Sequence, residues 1–262
     1  MKKVLVTGAG GQLGRTIHKL FNKNNDGIHF IFYAKNELDI TNQDMVNKVF
    51  KSHDFDYCIN CAAYTNVEQA EKSPDLAFEI NADGAKNIAL ACARTNTTLL
   101  HISTDYVFDG EKEDAYTIDD KTNPINEYGK SKELGEQYIA QVLNNYFIIR
   151  TSWLYAKEFG NNFYRTILKK CDTEEVLTIT DAQKGCPTDT VDLARYIYDL
   201  VLNDESTYGI KHFCSGEVMT WYDFAARILE DNNLIDKINL VKGGNYRTFA
   251  KRPKNSVLCV TK

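Results

Sequence analysis

No apolar run in the 262-residue chain approaches the roughly 20 residues that span a bilayer, so a membrane-crossing helix is not expected. An N-terminal apolar stretch with a small-residue cleavage site is also missing. Met1-Lys2-Lys3 runs straight into a strand pattern, and a cytoplasmic protein with no membrane partner is expected. Positive charge is not in excess: 31 lysines and arginines face 36 acidic residues, and the net charge of −5 argues against nucleic acid as a partner. The five histidines are isolated, with no H-E-x-x-H pattern among them. Cysteines number seven, an odd count scattered along the chain, which points to reduced thiols and not to a disulfide framework. Cys58-x-x-Cys61 has no second C-x-x-C to complete a zinc site, and on a strand its two thiols face opposite ways. No metal-ligand set is therefore expected. Proline is scarce as well, at four residues, and the composition of 43% apolar and 26% charged residues is that of an ordinary globular protein.

What is present begins at Val4-Leu5-Val6, an apolar run that reads as a buried parallel strand. Within two residues it gives way to Gly8, Gly11 and Gly14, and then to a helix marked by Leu13, Ile17, Leu20 and Phe21. Such a strand, turn and helix make a phosphate seat. Glycine lets the main chain approach a pyrophosphate, and the helix N-terminus offers unpaired N–H groups and partial positive charge. The spacing G-x-x-G-x-x-G departs from the strict G-x-G-x-x-G fingerprint, and a tight turn without a ligand stays open on this motif alone.

Strand and helix patterns then alternate. Strands are expected over 28–33, 57–59, 99–102 and 146–150, and helices over 42–51, 74–95 and from Asn126, a candidate N-cap, through Lys132. The acidic stretch 111–120 reads as a surface loop and a candidate lid. This alternation predicts an α/β protein, a Rossmann-like doubly wound parallel sheet over residues 1–150. Beyond Arg150 the texture changes, with helices near 162–170, 191–202 and 220–230 and strands at 176–179 and 210–214. A smaller C-terminal substrate-binding lobe over 151–262 is expected, with some segments returning to pack on the first domain.

In such a sheet, ligands bind at the carboxyl ends of the strands. The second strand delivers Lys35, whose cation suits the 2′-phosphate of NADP(H); Glu37 close by keeps NAD(H) open. After the third strand come Ala62, Ala63 and Tyr64, small enough at first for a cofactor to lie along the backbone. The fourth strand delivers Thr104 and Asp105. Tyr128 and Lys132 stand four apart on one helix and share a face. Phenols are poor acids near neutrality, but an ammonium within roughly 4–6 Å lowers the value by about 1–3 units. Tyr128 so tuned could protonate an alkoxide, with Thr104 holding the same oxygen.

Taken together, the glycine turn, the residues after the third strand, Thr104 and the Tyr-x-x-x-Lys pair resemble the extended short-chain dehydrogenase/reductases. Three further stretches, His101-Ile102-Ser103-Thr104-Asp105-Tyr106-Val107-Phe108-Asp109-Gly110, Arg150-Thr151-Ser152-Trp153-Leu154-Tyr155 and Arg252-Pro253-Lys254-Asn255-Ser256, are similar to the dTDP-4-dehydrorhamnose reductase family. The resemblance implies an oxidoreductase of dTDP-rhamnose biosynthesis that reduces the 4-ketone of a nucleotide-sugar substrate with a nicotinamide cofactor. It implies Thr104, Tyr128 and Lys132 as the catalytic set, Lys132 also meeting the nicotinamide ribose. Gly8, Gly11, Gln12 and Leu13 would serve the pyrophosphate, Asp39 and Ile40 the adenine, Ala62 to Tyr64 the length of the cofactor, and Asp105 and Trp153 the sugar. For Trp153 a plain core role stays open.

Two departures from the family pattern bear on assembly. Some members hold a divalent metal between subunits through glutamates, one of them in the first helix, where this chain has Arg15. Magnesium is therefore not expected, and a monomer or weak homodimer is. The family also continues past Arg252-Pro253-Lys254-Asn255-Ser256 into a further helix, whereas this sequence stops at Lys262. Other readings are another nucleotide-sugar reductase or epimerase and a non-catalytic NADP-binding regulatory subunit. A 4,6-dehydratase would place Asp-Glu after the threonine, and here Asp105 is followed by Tyr106.

Overall fold

A computed structural model of the chain describes residues 1–23, 27–243 and 248–260. Its centre is a sheet of six parallel strands: β1 (Lys2–Thr7), β2 (Ile28–Tyr33), β3 (Tyr57–Asn60), β4 (Thr98–Thr104), β5 (Tyr146–Thr151) and Gly209–Phe213. In space the order is Gly209–Phe213, β5, β4, β3, β1, β2, so the chain winds outward from β1 in one direction and then in the other. The reversal falls between β1 and β3, and the carboxyl ends of both open into one crevice.

The sheet is buried on both faces, and the side-chain period of two sorts its residues. Val4 and Val6 of β1, Ile59 of β3 and Phe147 and Ile149 of β5 join one apolar cluster with Leu13 and Ile17. Leu5, Cys58 and Ile148 join the opposite cluster. The first cluster is covered by α1 (Gln12–Phe21) and by Thr190–Leu202, which contributes Leu193, Ala194, Ile197 and Val201. The second is covered by α2 (Gln43–Ser52), by Gly84–Thr95 and by Glu127–Val142. Helices on both faces make the doubly wound fold expected from the sequence.

The stretch 74–95 is not one regular helix. A short helix α3 (Val67–Lys72) precedes it; α4 (Pro74–Phe78) then passes through a π-helical turn at Glu79–Asp83 into α5 (Gly84–Thr95). Such turns carry an extra residue and often serve a site. Here the turn presents Asn81, which accepts from the Tyr64 N–H (2.8 Å) and donates to the Tyr64 carbonyl (3.0 Å) and the Ser131 hydroxyl (3.0 Å). It fastens the segment after β3 to α6 (Glu127–Val142), whose N-cap is Asn126, accepting from the Gly129 N–H at 2.7 Å.

Beyond β5, β6 (Leu154–Tyr155) pairs with Thr188–Asp189, and a separate apolar cluster forms around α7 (Phe163–Cys171) and Trp221–Asp231. Two further short pairs join Val176–Ile179 to Asn239–Lys242 and Lys184–Gly185 to Met219–Thr220. The acidic loop 111–120, a candidate lid, lies away from the cleft. Tyr116 is buried, its ring stacked on Phe108 at 4.2 Å, and none of the loop lines the cleft described next. No helix among the described residues is long and apolar enough to cross a membrane.

Candidate active site

The carboxyl ends of β1, β3, β4 and β5 open into a cleft of about 570 Å³. Its floor at one end is main chain. Gly8 has φ of +63°, and a Cβ there would lie 2.5 Å from the Ala62 nitrogen, so only glycine lets β1 turn this close beside the segment after β3. Gly11 caps α1 with no side-chain hydrogen bond, and no acidic residue occupies the first turn of that helix. The uncapped N–H groups of a ten-residue helix, reached over bare glycine, fit a pyrophosphate. Gly11, Gln12, Leu13 and Ala63 line this end, while Gly8 and Ala62 form the close contact beneath it. Gln12 faces away in part: its side-chain oxygen accepts from the Ala156 N–H (3.1 Å) and from Asn162 (2.6 Å), tying the glycine turn to the segment beyond β6.

Lys35, Asp39, Ile40 and Tyr64 lie outside the cleft lining. Lys35 is exposed at the end of β2. Burial raises the Asp39 carboxyl, but hydrogen bonds from Thr41 and the nearby Lys35 charge outweigh it and leave it below its ordinary value. Glu37 is folded back, its carboxylate accepting from the Ala34 N–H at 2.9 Å. Ile40 is buried against Gly84.

In the middle of the cleft stand Thr104, Asp105, Tyr128 and Lys132. The Thr104 hydroxyl accepts from the Tyr106 N–H (3.1 Å) and donates to Asp105 (2.9 Å). Asp105 is buried and also accepts from Ser152 at 3.0 Å; burial pushes its carboxyl up to about 6 against these hydrogen bonds. Gly129 passes close to the Tyr106 backbone, which seats the first turn of α6 against the end of β4. Tyr128 thereby meets Thr104, and its ring packs edge-on against Tyr106 at 5.9 Å. Burial pushes the Tyr128 phenol above its ordinary value, and the contact with Thr104 only partly offsets this.

Lys132 departs from expectation in one respect. Its amine does not turn to Tyr128, although the two share a helix face. It bonds the Ile102 carbonyl at 2.7 Å and His101 Nε2 at 3.2 Å. Burial lowers Lys132 to about 8, against the opposing charge of Glu136 one turn further on. Glu136 is itself buried, paired with Arg150 at 2.7 Å and bonded by the Ser103 hydroxyl.

At the far end the wall is aromatic. Trp153, with φ of +50°, stacks on Trp221 with 3.5 Å between ring centroids and 5° between planes. Phe163 leans on Trp221 at 4.6 Å, and Trp221 donates to Gln183 at 2.9 Å. Trp153 is thus both a packed residue and a cleft wall, so its two readings from sequence are not exclusive.

With this geometry in view, a family model described as RmlD substrate binding domain matches residues 1–262. The chain belongs to that family. This RmlD-family chain is 39% identical to the dTDP-4-dehydrorhamnose reductase of Aggregatibacter actinomycetemcomitans, over 100% of the chain and 92% of that relative. It is also 39% identical to the dTDP-4-keto-6-deoxy-D-glucose reductase of Streptomyces niveus, over 84% of the chain and 75% of that protein. The fold matches the crystal structure of dTDP-4-dehydrorhamnose reductase from Bacillus anthracis in complex with NADP, with TM-score 0.94, 39% identity, 100% of this chain and 92% of the other covered.

The RmlD-family chain also places in the cleft residues to which its sequence assigned no role. Thr65, Val67, Tyr155, Phe163, Trp221 and Arg252 all line it. Arg252 lies in the Arg-Pro-Lys-Asn-Ser stretch and bonds Glu68 of α3 at 2.8 Å, so that motif carried a usable signal. Tyr155 likewise ends the Arg150–Tyr155 stretch, whereas Phe163 and Trp221 carried no signal beyond apolar periodicity. Arg15, standing where some relatives were expected to have a glutamate, holds its guanidinium 4.3 Å over the Phe159 ring. No group of metal-ligating side chains occurs among the described residues.

Proposed function

We propose that the chain reduces the 4-ketone of dTDP-4-dehydro-L-rhamnose to dTDP-L-rhamnose, using NADPH in preference to NADH. The observation that carries this reading is a single cleft with an uncapped helix N-terminus at one end, aromatic rings at the other, and the Thr104 and Tyr128 hydroxyls together between them. The names of the relatives support the substrate class, and the NADP complex of the Bacillus anthracis protein supports the cofactor.

The dinucleotide, when bound, supplies a hydride. Gly11, Gln12 and Leu13 would hold its pyrophosphate on the N-terminus of α1, and Ala62 and Ala63 leave room along its length. Lys35 would meet the 2′-phosphate, with the Glu37 carboxylate already engaged by its own turn and not offered to a ribose. Thr104 turns its hydroxyl hydrogen from Asp105 to the ketone oxygen. Tyr128, kept protonated by burial, gives that oxygen its proton as negative charge develops; positioned proton transfer of this kind contributes about 10²–10⁴-fold. A protonated Lys132 would then favour the phenolate left behind. Trp153 and Trp221 form a rigid face for the sugar, and Asp105 fixes Thr104 from below. The working form is taken to be a cytoplasmic monomer or weak homodimer without magnesium.

The Streptomyces niveus relative favours a second substrate, dTDP-4-keto-6-deoxy-D-glucose. Both are separated by one experiment: nicotinamide absorbance followed with each ketosugar in turn, and the product identified. The proposal expects faster NADPH oxidation with dTDP-4-dehydro-L-rhamnose and formation of dTDP-L-rhamnose. Faster turnover of the other sugar would reassign the substrate. NADPH binding with no oxidation of either would favour a non-catalytic regulatory subunit.

A further inference from the structure

Behind Lys132 runs a buried chain of hydrogen bonds whose donors and acceptors can be counted. Asn60, at the end of β3, has its side-chain oxygen fixed by two donors, the Thr7 hydroxyl at 2.6 Å and the Ala62 N–H at 3.2 Å. A backbone N–H can only donate, so the oxygen must face Ala62 and the amide nitrogen must face the other way. That nitrogen lies 3.1 Å from His101 Nδ1 and donates to it. His101 is fully buried, and burial together with the nearby Lys132 holds its proton affinity well below the ordinary value. A neutral imidazole carries one hydrogen on two nitrogens. With Nδ1 accepting, Nε2 bears the hydrogen and points it at Lys132 Nζ, 3.2 Å away. An ammonium has no lone pair to receive it, whereas an amine has one and still donates a hydrogen to the Ile102 carbonyl at 2.7 Å.

We propose that His101 is a positioning residue that favours the neutral amine of Lys132 in the free protein, so that dinucleotide binding in mildly alkaline solution draws a proton from solvent onto the lysine. The second half rests on the reading above, in which Lys132 meets the dinucleotide. The groups facing the lysine agree. Cys61, beyond β3, is pushed up by burial and stays an uncharged thiol, and His101 of β4 is neutral. Tyr128 of α6 is a phenol. Glu136 of α6 is the one carboxylate among them, and its charge is already engaged by Arg150 of β5 and the Ser103 hydroxyl. An incoming dinucleotide would offer Lys132 the oxygens of its nicotinamide ribose as acceptors and add negative charge to the same cleft, and both favour the ammonium. The proton comes from bulk buffer and forms the third N–H bond at Nζ; the ammonium, with no lone pair left for the Nε2 hydrogen of His101, would turn from it to the ribose.

Calorimetry of NADPH binding to the full chain at about pH 8.5, in two buffers of different ionisation heat, reads this uptake directly. A lysine titrating at about 8 in the free protein and above about 10 in the complex takes up about 0.7 proton per site. His101→Phe, which removes the Nε2 donor, is expected to cut that uptake at least by half while NADPH still binds. Uptake unchanged in the variant, or binding heats that do not depend on buffer in the wild-type chain, would overturn the inference. Nitrogen-15 spectra of the free wild-type chain give a test independent of the variant's folding and of NADPH. His101 should show a protonated Nε2 and a bare Nδ1, and the opposite tautomer would overturn the inference. Failure of NADPH to bind at all would instead count against the dinucleotide reading and leave the spectra to decide on His101.

Discussion

At the end proposed for the dinucleotide the cleft is walled by main chain, Gly10, Gly11 and Ala63, whereas at the end proposed for the sugar it is walled by aromatic rings from segments far apart in sequence, Trp153, Phe163 and Trp221. The first wall depends on what side chains leave out. Gly8 works because a Cβ there would meet Ala62, and one at Gly11 would lie a tight 3.2 Å from the Gly8 carbonyl. The second depends on what side chains add: Trp153 keeps its strained backbone while Trp221 covers one face and Gly185 receives its edge. A backbone wall can be lost through a single methyl group, and it fails together with the fold around it. An aromatic wall can be trimmed while the sheet stands, and the cost falls on one ligand.

Between the two walls stands the pair that belongs to neither, and its removal should have the largest effect. Tyr128→Phe is expected to lower kcat by about 10²–10⁴-fold while NADPH affinity holds. Normal turnover in steady-state assays would take the phenol out of the chemistry. Next in size, Gly8→Ala should cost about 1–3 kcal/mol of stability, because φ is +63° and the added carbon meets the Ala62 nitrogen. Thermal unfolding and NADPH titration should fall together, and an unchanged midpoint would mean the close approach relaxes freely. Trp221→Ala tests the other wall. Stacked aromatic pairs are worth about 0.5–1.5 kcal/mol, so KM for the ketosugar should rise by roughly 2- to 12-fold with the NADPH Kd unchanged. A variant that weakens both ligands equally would erase the distinction between the ends. Lys35→Glu should have the smallest effect, since an exposed charge contact is worth about 0.2–1 kcal/mol. NADPH should weaken by a few-fold relative to NADH, and equal loss for both would remove Lys35 from the 2′-phosphate.

The contrast between the ends also marks what the sequence made legible. Glycines at a strand end, small residues after β3, Thr104 after β4 and Asn126 as a cap all act through local backbone chemistry, and local chemistry is written in adjacent residues. The six-stranded core was legible for a related reason: strands buried on both faces, as at Val4 to Val6, appear as unbroken apolar runs. Periodicity could not register the one extra residue of the π-helical turn, so Asn81 and its hold on Tyr64 went unseen within a longer helix. Val67–Lys72 is too short to establish a period, and two-residue strands such as Leu154–Tyr155 have none. Trp221 and Phe163 look like core residues until the chain brings Trp153 against them. The four-residue spacing placed Tyr128 and Lys132 on one face but not the end of a long, flexible side chain, which turned to His101 and Ile102. In the acidic loop, Tyr116 bridges to Leu258 near the other end of the chain, a contact that adjacent residues do not show.

The central claim is that this cleft delivers a hydride to the ketone carbon while Tyr128 protonates its oxygen. NADPH deuterated at the transferring position, supplied with dTDP-4-dehydro-L-rhamnose and the wild-type chain, tests it most directly. The account predicts one deuterium at C4 of the dTDP-L-rhamnose formed, and none at C4 in product formed with unlabelled NADPH in deuterium oxide. Deuterium at C4 from solvent, or none at C4 from the labelled NADPH, would contradict it.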